Sequence, residues 1–504
     1  MLMKNRQWLF GLLGFQMVTL AFSQSAPGFY IPENPNYTLV NSVEDSLRFT
    51  LDKTLETDAR GHLVSRSSFV DPEGAVMGWH DFGHLEGPGW AANAVGGAHE
   101  IYLWGAWMNR PEWKVKAIRI LDHVLECGFI DWQSGFIRPY RDTQTGAFCL
   151  NYKHRTDWVC PGSLAKIGYQ LLVFSDELSP SSRARQMRRA ALGIARWIDQ
   201  QVEPVPNGWF PRRCTPDGKI YRKSPEGGND PFWQTSADGL FIVQLQAALT
   251  QRKLADYRLA LREKVDVFMK AGGIYGSINH DTYDPQENVA YSVAFRTLLL
   301  ASRVLSDETI RRFAYTHCLE GLRMFQMTED RNGVATKGLL FMEKTWDTAY
   351  LWENAEASLA YFEAALDTRK SDITRSRSYE TNGLVILRAI AKHHHGAYGF
   401  LTEGVDWNDH VGQQHHIDQQ KYAAIRYTEP FLNNQHITEP TWFYLNHLAQ
   451  KSKQAGATEW RDLENNLLYR RPLRVCAKTN SDFAGGDLAC WRGATKEHSH
   501  VLCD

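Results

Sequence analysis

The stretch SADGLFIVQLQAAL, residues 236–249, has apolar or small side chains on almost every side of a helix. A helix without a polar face must be covered by other elements all round. The stretch SSRARQMRRAALGIARWIDQQV, residues 181–202, differs because its apolar residues recur at helical spacing and leave one charged face. The two kinds of segment alternate along the chain, and this alternation predicts the fold.

Six segments are apolar or small nearly all round, at 90–108, 158–175, 234–250, 287–305, 347–366 and 437–450. Six amphipathic segments alternate with them, at 43–57, 112–127, 181–203, 253–271, 307–328 and 379–395. An inner ring of six helices inside an outer ring of six satisfies both burial patterns. We therefore predict an all-α fold, an (α/α)6 toroid over residues 24–451. An α-solenoid is the alternative, but its repeats would be more regular.

The two ends of the chain have their own patterns. Lys4 and Arg6 precede an apolar run over 8–22, and a cleavage before Gln24 would follow small residues. This pattern predicts a signal peptide over 1–23 and a secreted or periplasmic protein. An N-terminal membrane anchor is the alternative, although the run is short for a membrane span. We predict that residues 452–504, a Gly-rich and charged stretch, form an extension packed on the outside of the toroid.

The overall charge and the cysteines exclude several classes of function. The formal net charge is −1 and no basic tract appears, so we expect no nucleic acid partner and no membrane partner once the signal is removed. The eight cysteines are scattered without a C-x-x-C pair, so we predict no metal and no other cofactor. Proximity suggests the disulfides Cys149–Cys160 and Cys476–Cys490 in an exported chain. The sequence leaves the oligomeric state open.

Long loops rich in Trp, Asp, His and Gly precede the covered segments, whereas the links to the amphipathic segments are short. In a toroid these long loops collect on one face, above the N-termini of the inner helices, where free N–H groups favour anions. The loops lie at 78–90, 151–158, 226–238, 279–288, 342–354 and 396–439. We predict that they line one cleft. The 17 tryptophans suit stacking against the apolar faces of sugars, although core packing also explains aromatic residues.

The alternating hairpins, the export signal and these loops resemble the six-hairpin glycosidase superfamily, the (α/α)6 carbohydrate-active enzymes, over roughly residues 40–450. The sequence HDFG at 80–83 is similar to the N-terminal aspartate loops of some inverting members. The Cys3Glu zinc pattern of one arabinofuranosidase family is absent. The resemblance is architectural, so it implies sugar chemistry without transferring any catalytic residue or defining the bond that is cut.

Hydrolysis of a glycosidic bond needs one protonated carboxyl group and one carboxylate. The stretch TEGVDWNDHVGQQHH, residues 402–416, gathers acids and histidines around Trp407, and there we predict Glu403 or Asp406 as a catalytic group. Local turn hydrogen bonds are the alternative role of such residues. The second carboxylate is expected from another loop, and the candidates are Asp81, Glu86, Asp157 and Glu353; Asp157 and Asp238 can instead cap helices.

Aromatic and basic residues of the same loops are predicted to bind the substrate. The candidates are Trp90, His154, Arg155, Trp158, Trp233, Trp346, Trp407, His415 and His416. Arg pairs bidentately with carboxylates, so glycans that contain uronic acids are included among the substrates. We predict a secreted glycoside hydrolase that acts on a poly- or oligosaccharide. A polysaccharide lyase that uses a Tyr or His base is the main alternative, then a sugar epimerase or a non-catalytic glycan-binding protein.

Overall fold

The structure is a computed structural model that describes residues 39–449 except 153, 223–234, 277, 279–283, 346, 396–399, 408–426 and 433–435. Within these residues there are twelve α-helices: α1 (Leu39–Phe49), α2 (Ala94–Trp107), α3 (Pro111–Glu126), α4 (Pro161–Glu177), α5 (Ser182–Gln201), α6 (Gly239–Gln251), α7 (Arg258–Lys270), α8 (Asn288–Leu305), α9 (Glu308–Phe313), α10 (Leu351–Thr368), α11 (Ile373–Ala391) and α12 (Thr438–Phe443). Short π-helical segments extend three of them, at Thr50–Thr54, Ala314–Leu319 and Tyr444–Ala449.

The even-numbered helices form a closed inner ring. Each packs against the next, in the order α2, α4, α6, α8, α10 and α12, and α12 packs back against α2. Each of the first five is followed by an odd-numbered helix that packs against it, and α1 packs against α11 and α12 to complete the outer ring. The predicted (α/α)6 toroid is confirmed.

The burial of the two rings follows the sequence patterns. On α5 the buried residues include Met187, Ala191, Ile194 and Ile198, which recur at helical spacing. The Ser181 side chain caps this helix by accepting a hydrogen bond from the Ala184 N–H at 3.0 Å. On α6, by contrast, every residue from 239 to 249 is buried. An inner helix therefore has no solvent face, as its sequence predicts.

Short antiparallel strands occur in the long loops and just after α1. They are β1 (Leu55–Thr57), β2 (Leu63–Ser65), β3 (Leu85–Glu86), β4 (Tyr140–Asp142), β5 (Phe148–Cys149), β6 (Thr348–Tyr350), β7 (His394–His395), β8 (Phe400–Leu401) and β9 (Gly404–Asp406). Their pairings are β1–β2, β3–β4–β5, β6–β9 and β7–β8. The β6–β9 pair joins the loop before α10 to the loop before α12, so it fixes two walls of the predicted cleft relative to each other.

The structure tests one of the two predicted disulfides. Cys149 and Cys160 are both free thiols, so the predicted disulfide between them is wrong. Cys160 precedes α4 and contacts the Asn151 amide, while Cys149 lies on β5 beside His154. The Cys476–Cys490 pair, the signal peptide and the C-terminal extension lie outside the described residues. None of the described helices combines the length and apolar character that crossing a bilayer requires.

Candidate active site

The N-termini of the inner helices lie at one end of the toroid. Because each inner helix is followed by an outer helix that packs back against it, all inner helices run in the same direction. The long loops therefore meet at this end, which we call the mouth. Free N–H groups at helix N-termini make such an end favourable for polar ligands.

Three of the predicted catalytic carboxylates lie at the mouth. Asp406 is paired with Thr348 in the β6–β9 ladder and is 3% exposed. The carbonyl oxygen of Glu403 accepts a hydrogen bond from the N–H of Leu351, the first residue of α10, at 2.9 Å. Glu353, in the first turn of α10, is fully buried and accepts a hydrogen bond from Asn288 Nδ2 at 2.9 Å. The structure thus brings Glu353, Glu403 and Asp406 to two adjoining loops.

Two tryptophan rings lie beside these carboxylates. Trp90 is half-buried, and its ring meets the Trp352 ring edge-on with centroids 5.7 Å apart. Trp352 is buried in the first turn of α10 and meets the His436 ring at 6.2 Å. Trp90 is thus partly exposed beside a buried tryptophan, and its stacking on a sugar stays a prediction.

Below the rings, charged side chains project from several inner helices or their ends. We call them the axial cluster, and its members are Lys166, Asp238, Arg296, Glu356, His436 and Glu439. None of them is among the site residues predicted from the sequence. A signal was nevertheless present, because Lys166, Arg296 and Glu356 are charged residues on segments predicted to be covered all round.

Glu356 and Arg296 form the best-defined pair of the axial cluster. The Arg296 guanidinium donates to Glu356 Oε2, to Glu363 Oε1 at 3.0 Å, and lies 3.6 Å from Glu439 Oε1. The other Glu356 oxygen is 3.7 Å from His436 Nε2. Burial opposes ionisation of Glu356, but Arg296, His436 and Lys166 outweigh it and hold its pKa well below the ordinary value. Glu356 is therefore a carboxylate throughout the neutral range.

Asp238 has the opposite environment. It is 4% exposed, and its carboxyl group accepts hydrogen bonds from the backbone N–H groups of Gly162 and Ser163 at the start of α4. Asp238 precedes α6 but makes no capping hydrogen bond to that helix, so it caps the neighbouring inner helix instead. Burial raises the pKa of Asp238 to about 7, although Arg212 and the two N–H groups act in the other direction. Asp238 thus retains its proton close to neutral pH.

Lys166 interacts electrostatically with both of these acids. Its ammonium is 5.3 Å from the centre of the Phe241 ring and 5.5 Å from that of Trp352. Its nitrogen has no hydrogen-bond partner among the described residues. Burial lowers the pKa of Lys166, while Glu356, Glu439 and Asp238 raise it. The mouth therefore holds a protonated carboxyl, an ionised carboxylate and an amine around aromatic rings.

The other predicted carboxylates lie in different surroundings. Asp81 is exposed on the loop before α2. Glu86 is buried against the outer helix α3, where Arg141 and His123 bind it. Asp157 does not cap α4, which begins at Pro161, and the Arg155 guanidinium beside it holds the pKa of its carboxyl at about 2. Such a low pKa does not suit a proton donor.

Four of the other predicted binding residues are described by the structure, and four lie outside the described residues. Arg155 binds Asp157 through two hydrogen bonds of 2.9 and 3.0 Å, and His154 lies 2.9 Å from Asp142. Trp158 and Trp407 are 2% and 7% exposed, so little of either ring is accessible to a sugar. Trp233, Trp346, His415 and His416 lie outside the described residues. All these assignments stay predictions.

Among the described residues, the one group of His, Cys, Asp and Glu side chains spaced for a metal ion lies away from the mouth, at Asp58, His62, His123 and Cys127. That the reaction needs no metal stays a prediction.

Comparisons with known proteins support the fold. No protein-family model matches the sequence, and no curated protein sequence matches it. Cellobiose 2-epimerase from Bacillus thermoamylovorans has a similar structure, with 10% identity, a TM-score of 0.55, and coverage of 81% of this chain and 98% of that one. A D-mannose isomerase shares 12% identity with a TM-score of 0.54, over 81% and 97% of the two chains. Cellobiose 2-epimerase from Spirochaeta thermophila shares 15% identity with a TM-score of 0.52, over 80% and 94%.

At these identities the likeness shows the fold alone. These solved structures support the predicted (α/α)6 toroid, and membership of the six-hairpin glycosidase superfamily stays a prediction. The chain spans nearly the full length of each of these proteins, so the whole toroid is shared.

Proposed function

We propose that the protein is an exported carbohydrate-active enzyme, a glycoside hydrolase that cleaves a poly- or oligosaccharide at the mouth of the toroid. The observation that carries this proposal is a pair of buried carboxyl groups around Lys166 whose pKa values are driven apart. Burial raises the pKa of Asp238 to about 7. Arg296 is the chief cation that lowers the pKa of Glu356. Carboxyl groups separated in this way are suited to act as acid and base.

The surrounding groups suit a sugar. Trp90 offers a partly accessible ring, and the Lys166 ammonium can donate to hydroxyl groups. Glu403 and Asp406, on the neighbouring loop, remain candidates from the sequence for a further catalytic carboxyl group. Since Arg155 is occupied by Asp157, the structure offers no support for a requirement for uronic acids.

A sugar epimerase or isomerase is the second candidate. The similar structures include two cellobiose 2-epimerases and a mannose isomerase. The specific observation is His436, which is 4% exposed, has Nε2 directed at Glu356, and has Nδ1 without a hydrogen-bond partner among the described residues. A histidine oriented by a carboxylate can remove a proton from carbon beside a sugar carbonyl.

Incubation with a panel of neutral and acidic oligo- and polysaccharides separates the candidates. Hydrolysis creates new reducing ends. Elimination by a lyase also creates unsaturated uronyl ends that absorb ultraviolet light. An epimerase or isomerase leaves the number of reducing ends unchanged and exchanges sugar C–H for solvent deuterium, which NMR detects.

Three isosteric variants then test the site: Asp238→Asn, Glu356→Gln and Asp406→Asn. For a hydrolase at the mouth, at least one should lower kcat by about 100-fold or more while the circular dichroism spectrum stays unchanged. The exposed Asp199→Asn on α5 is the control and should keep full activity. Near-normal hydrolysis by all three variants would exclude these carboxyl groups and refute the proposal.

A further inference from the structure

A second cluster of chemically reactive side chains lies on the outside of the toroid. Asp58 and His62 flank the turn between β1 and β2, and His123 and Cys127 are in the last turn of α3 and just after it. The members of each pair are four positions apart in the sequence. His123 and Cys127 therefore project from the same face of the helix. One atom from each of the four side chains lies within 4.8 Å of the others. The function proposed above does not use this cluster.

Three distances within the cluster are close to those of a tetrahedral metal site. Asp58 Oδ2 lies 3.1 Å from His62 Nδ1 and 3.2 Å from His123 Nδ1, and Cys127 Sγ lies 3.6 Å from His62 Nδ1. With zinc bonds of about 2.0 Å to nitrogen or oxygen and about 2.3 Å to sulfur, tetrahedral ligand atoms are roughly 3.3 to 3.6 Å apart. The other pairs of ligand atoms lie within 4.8 Å of each other, so the four side chains can close around one ion.

The groups around the cluster orient its ligands. His123 directs Nδ1 to the centre and holds Nε2 3.0 Å from Glu86 Oε2. His62 likewise directs Nδ1 to the centre, and its Nε2 is 3.3 Å from Glu126 Oε2. A carboxylate behind each imidazole is the usual support of a metal-bound histidine, since it fixes the ring orientation and increases the basicity of the ligating nitrogen.

Asp58 is also fixed for the same role. Its Oδ1 accepts hydrogen bonds from the backbone N–H groups of Arg60 and His62 at 2.9 and 2.8 Å, which leaves Oδ2 directed at the two imidazoles. The turn is held on α3 because Arg119 Nε donates to the Gly61 carbonyl at 2.7 Å. Asp58, His62 and His123 are therefore held in place by contacts that do not depend on an ion.

The Glu86 and Glu126 carboxylates flank the cluster at its two imidazoles, which favours a cation at its centre. Hydrogen bonds from both histidines to Asp58 would also explain the nitrogen–oxygen distances, but they give no role to the Cys127 sulfur.

We propose that Asp58, His62, His123 and Cys127 bind one zinc ion that fastens the β1–β2 hairpin to the outer helix α3. Two imidazoles, a carboxylate and a thiolate form a ligand set that suits zinc. Four protein ligands leave no open position for a substrate, so the ion is structural. This site is independent of the mouth and of the reaction that takes place there.

Zinc content tests the proposal directly. The mature chain without a histidine tag is stripped with a chelator, incubated with Zn²⁺, desalted and analysed by plasma mass spectrometry. We expect about one zinc per chain. Substitution of Co²⁺ should give the visible bands of tetrahedral cobalt together with thiolate-to-cobalt charge-transfer absorption, which reports sulfur ligation in particular.

Cys127→Ser should weaken zinc binding by about 100-fold or more and abolish the charge-transfer band. The matched control is Cys149→Ser, since Cys149 is another free thiol near a histidine, with Sγ 3.9 Å from His154 Nδ1. This control should bind zinc like the unchanged protein. Glu126→Gln removes only the carboxylate behind His62 and should weaken binding by about tenfold.

Two results would overturn the proposal. One is a folded protein that takes up no zinc. The other is a folded Cys127→Ser variant, checked by circular dichroism, that binds zinc or cobalt as tightly as the Cys149→Ser control. Because neither measurement uses catalysis, failure here is distinguishable from failure of the proposed function.

Discussion

Asp238→Asn should remove a large part of the pH dependence of stability. The folded protein holds the Asp238 proton with a pKa of about 7, against an ordinary value of 3.8. Below pH 3.8 the carboxyl is protonated in both states, and the stabilising effect of burying it neutral is complete. As the pH rises from 3.8 to 7, only the unfolded state loses the proton, so stability falls. Between pH 5 and pH 8 the loss is roughly 2 to 3 kcal/mol.

Asparagine keeps the oxygen that accepts from Gly162 and Ser163 but cannot ionise, so the variant should lack this loss. The assay is urea unfolding followed by circular dichroism at pH 5 and pH 8. The quantity to compare is the change in unfolding free energy between the two pH values, in the unchanged protein and in Asp238→Asn. Asp199→Asn, at an exposed position of α5, is the control and should behave like the unchanged protein. Equal pH dependence in all three proteins would refute the assignment of a neutral buried carboxyl.

Three further substitutions have expected outcomes. Arg296→Met should destabilise the fold by about 3 to 5 kcal/mol in urea unfolding, because it leaves buried carboxylates without their cation. The control Arg303→Met, at a half-exposed ion pair on the same helix, should destabilise it by less than about 1 kcal/mol. Equal destabilisation by the two variants would contradict the buried network. Trp90→Ala should raise KM about three- to tenfold with little change in kcat, through lost stacking on the sugar; an unchanged KM would exclude the ring from the binding site. Asp406→Asn should lower kcat by about 100-fold or more with KM nearly unchanged, because it removes a catalytic carboxyl group at the mouth, and unchanged turnover would exclude Asp406 from catalysis.

The toroid could be predicted from the sequence because burial on all sides and burial on one side leave different patterns. The segment predicted as 287–305 is the helix Asn288–Leu305, and the segment predicted as 112–127 is Pro111–Glu126. Local periodicity is sufficient to predict these helices, because each inner helix is buried by its own hairpin partner and its ring neighbours. Alternation of twelve such segments then leaves few architectures.

The candidate site was only partly predictable, because the partner of a polar side chain is set by tertiary contacts. Loop composition pointed to Glu353, Glu403 and Asp406, which lie in or next to the paired strands β6 and β9, and their catalytic role stays a prediction. The same criterion selected Asp157, which is bound to Arg155 two residues away. Capping of a helix is the alternative role predicted for Asp238, and the closed ring brings the start of α4 to it, so it caps that helix and not α6, which it precedes. Only the structure reveals a cap that crosses between helices.

The axial cluster supports a functional mouth for an energetic reason. Replacing a buried ionic network by well-packed apolar residues is commonly neutral or stabilising by about 1 to 4 kcal/mol. Arg296 is well satisfied by its carboxylates, so that pair can be structural. The Lys166 ammonium and His436 Nδ1 differ, since neither has a hydrogen-bond partner among the described residues, and buried groups of this kind are costly. A sugar hydroxyl can accept from an ammonium and can either donate to or accept from an imidazole nitrogen. A bound sugar would therefore supply the hydrogen bonds that these two groups lack, beside the Trp352 ring that both of them contact.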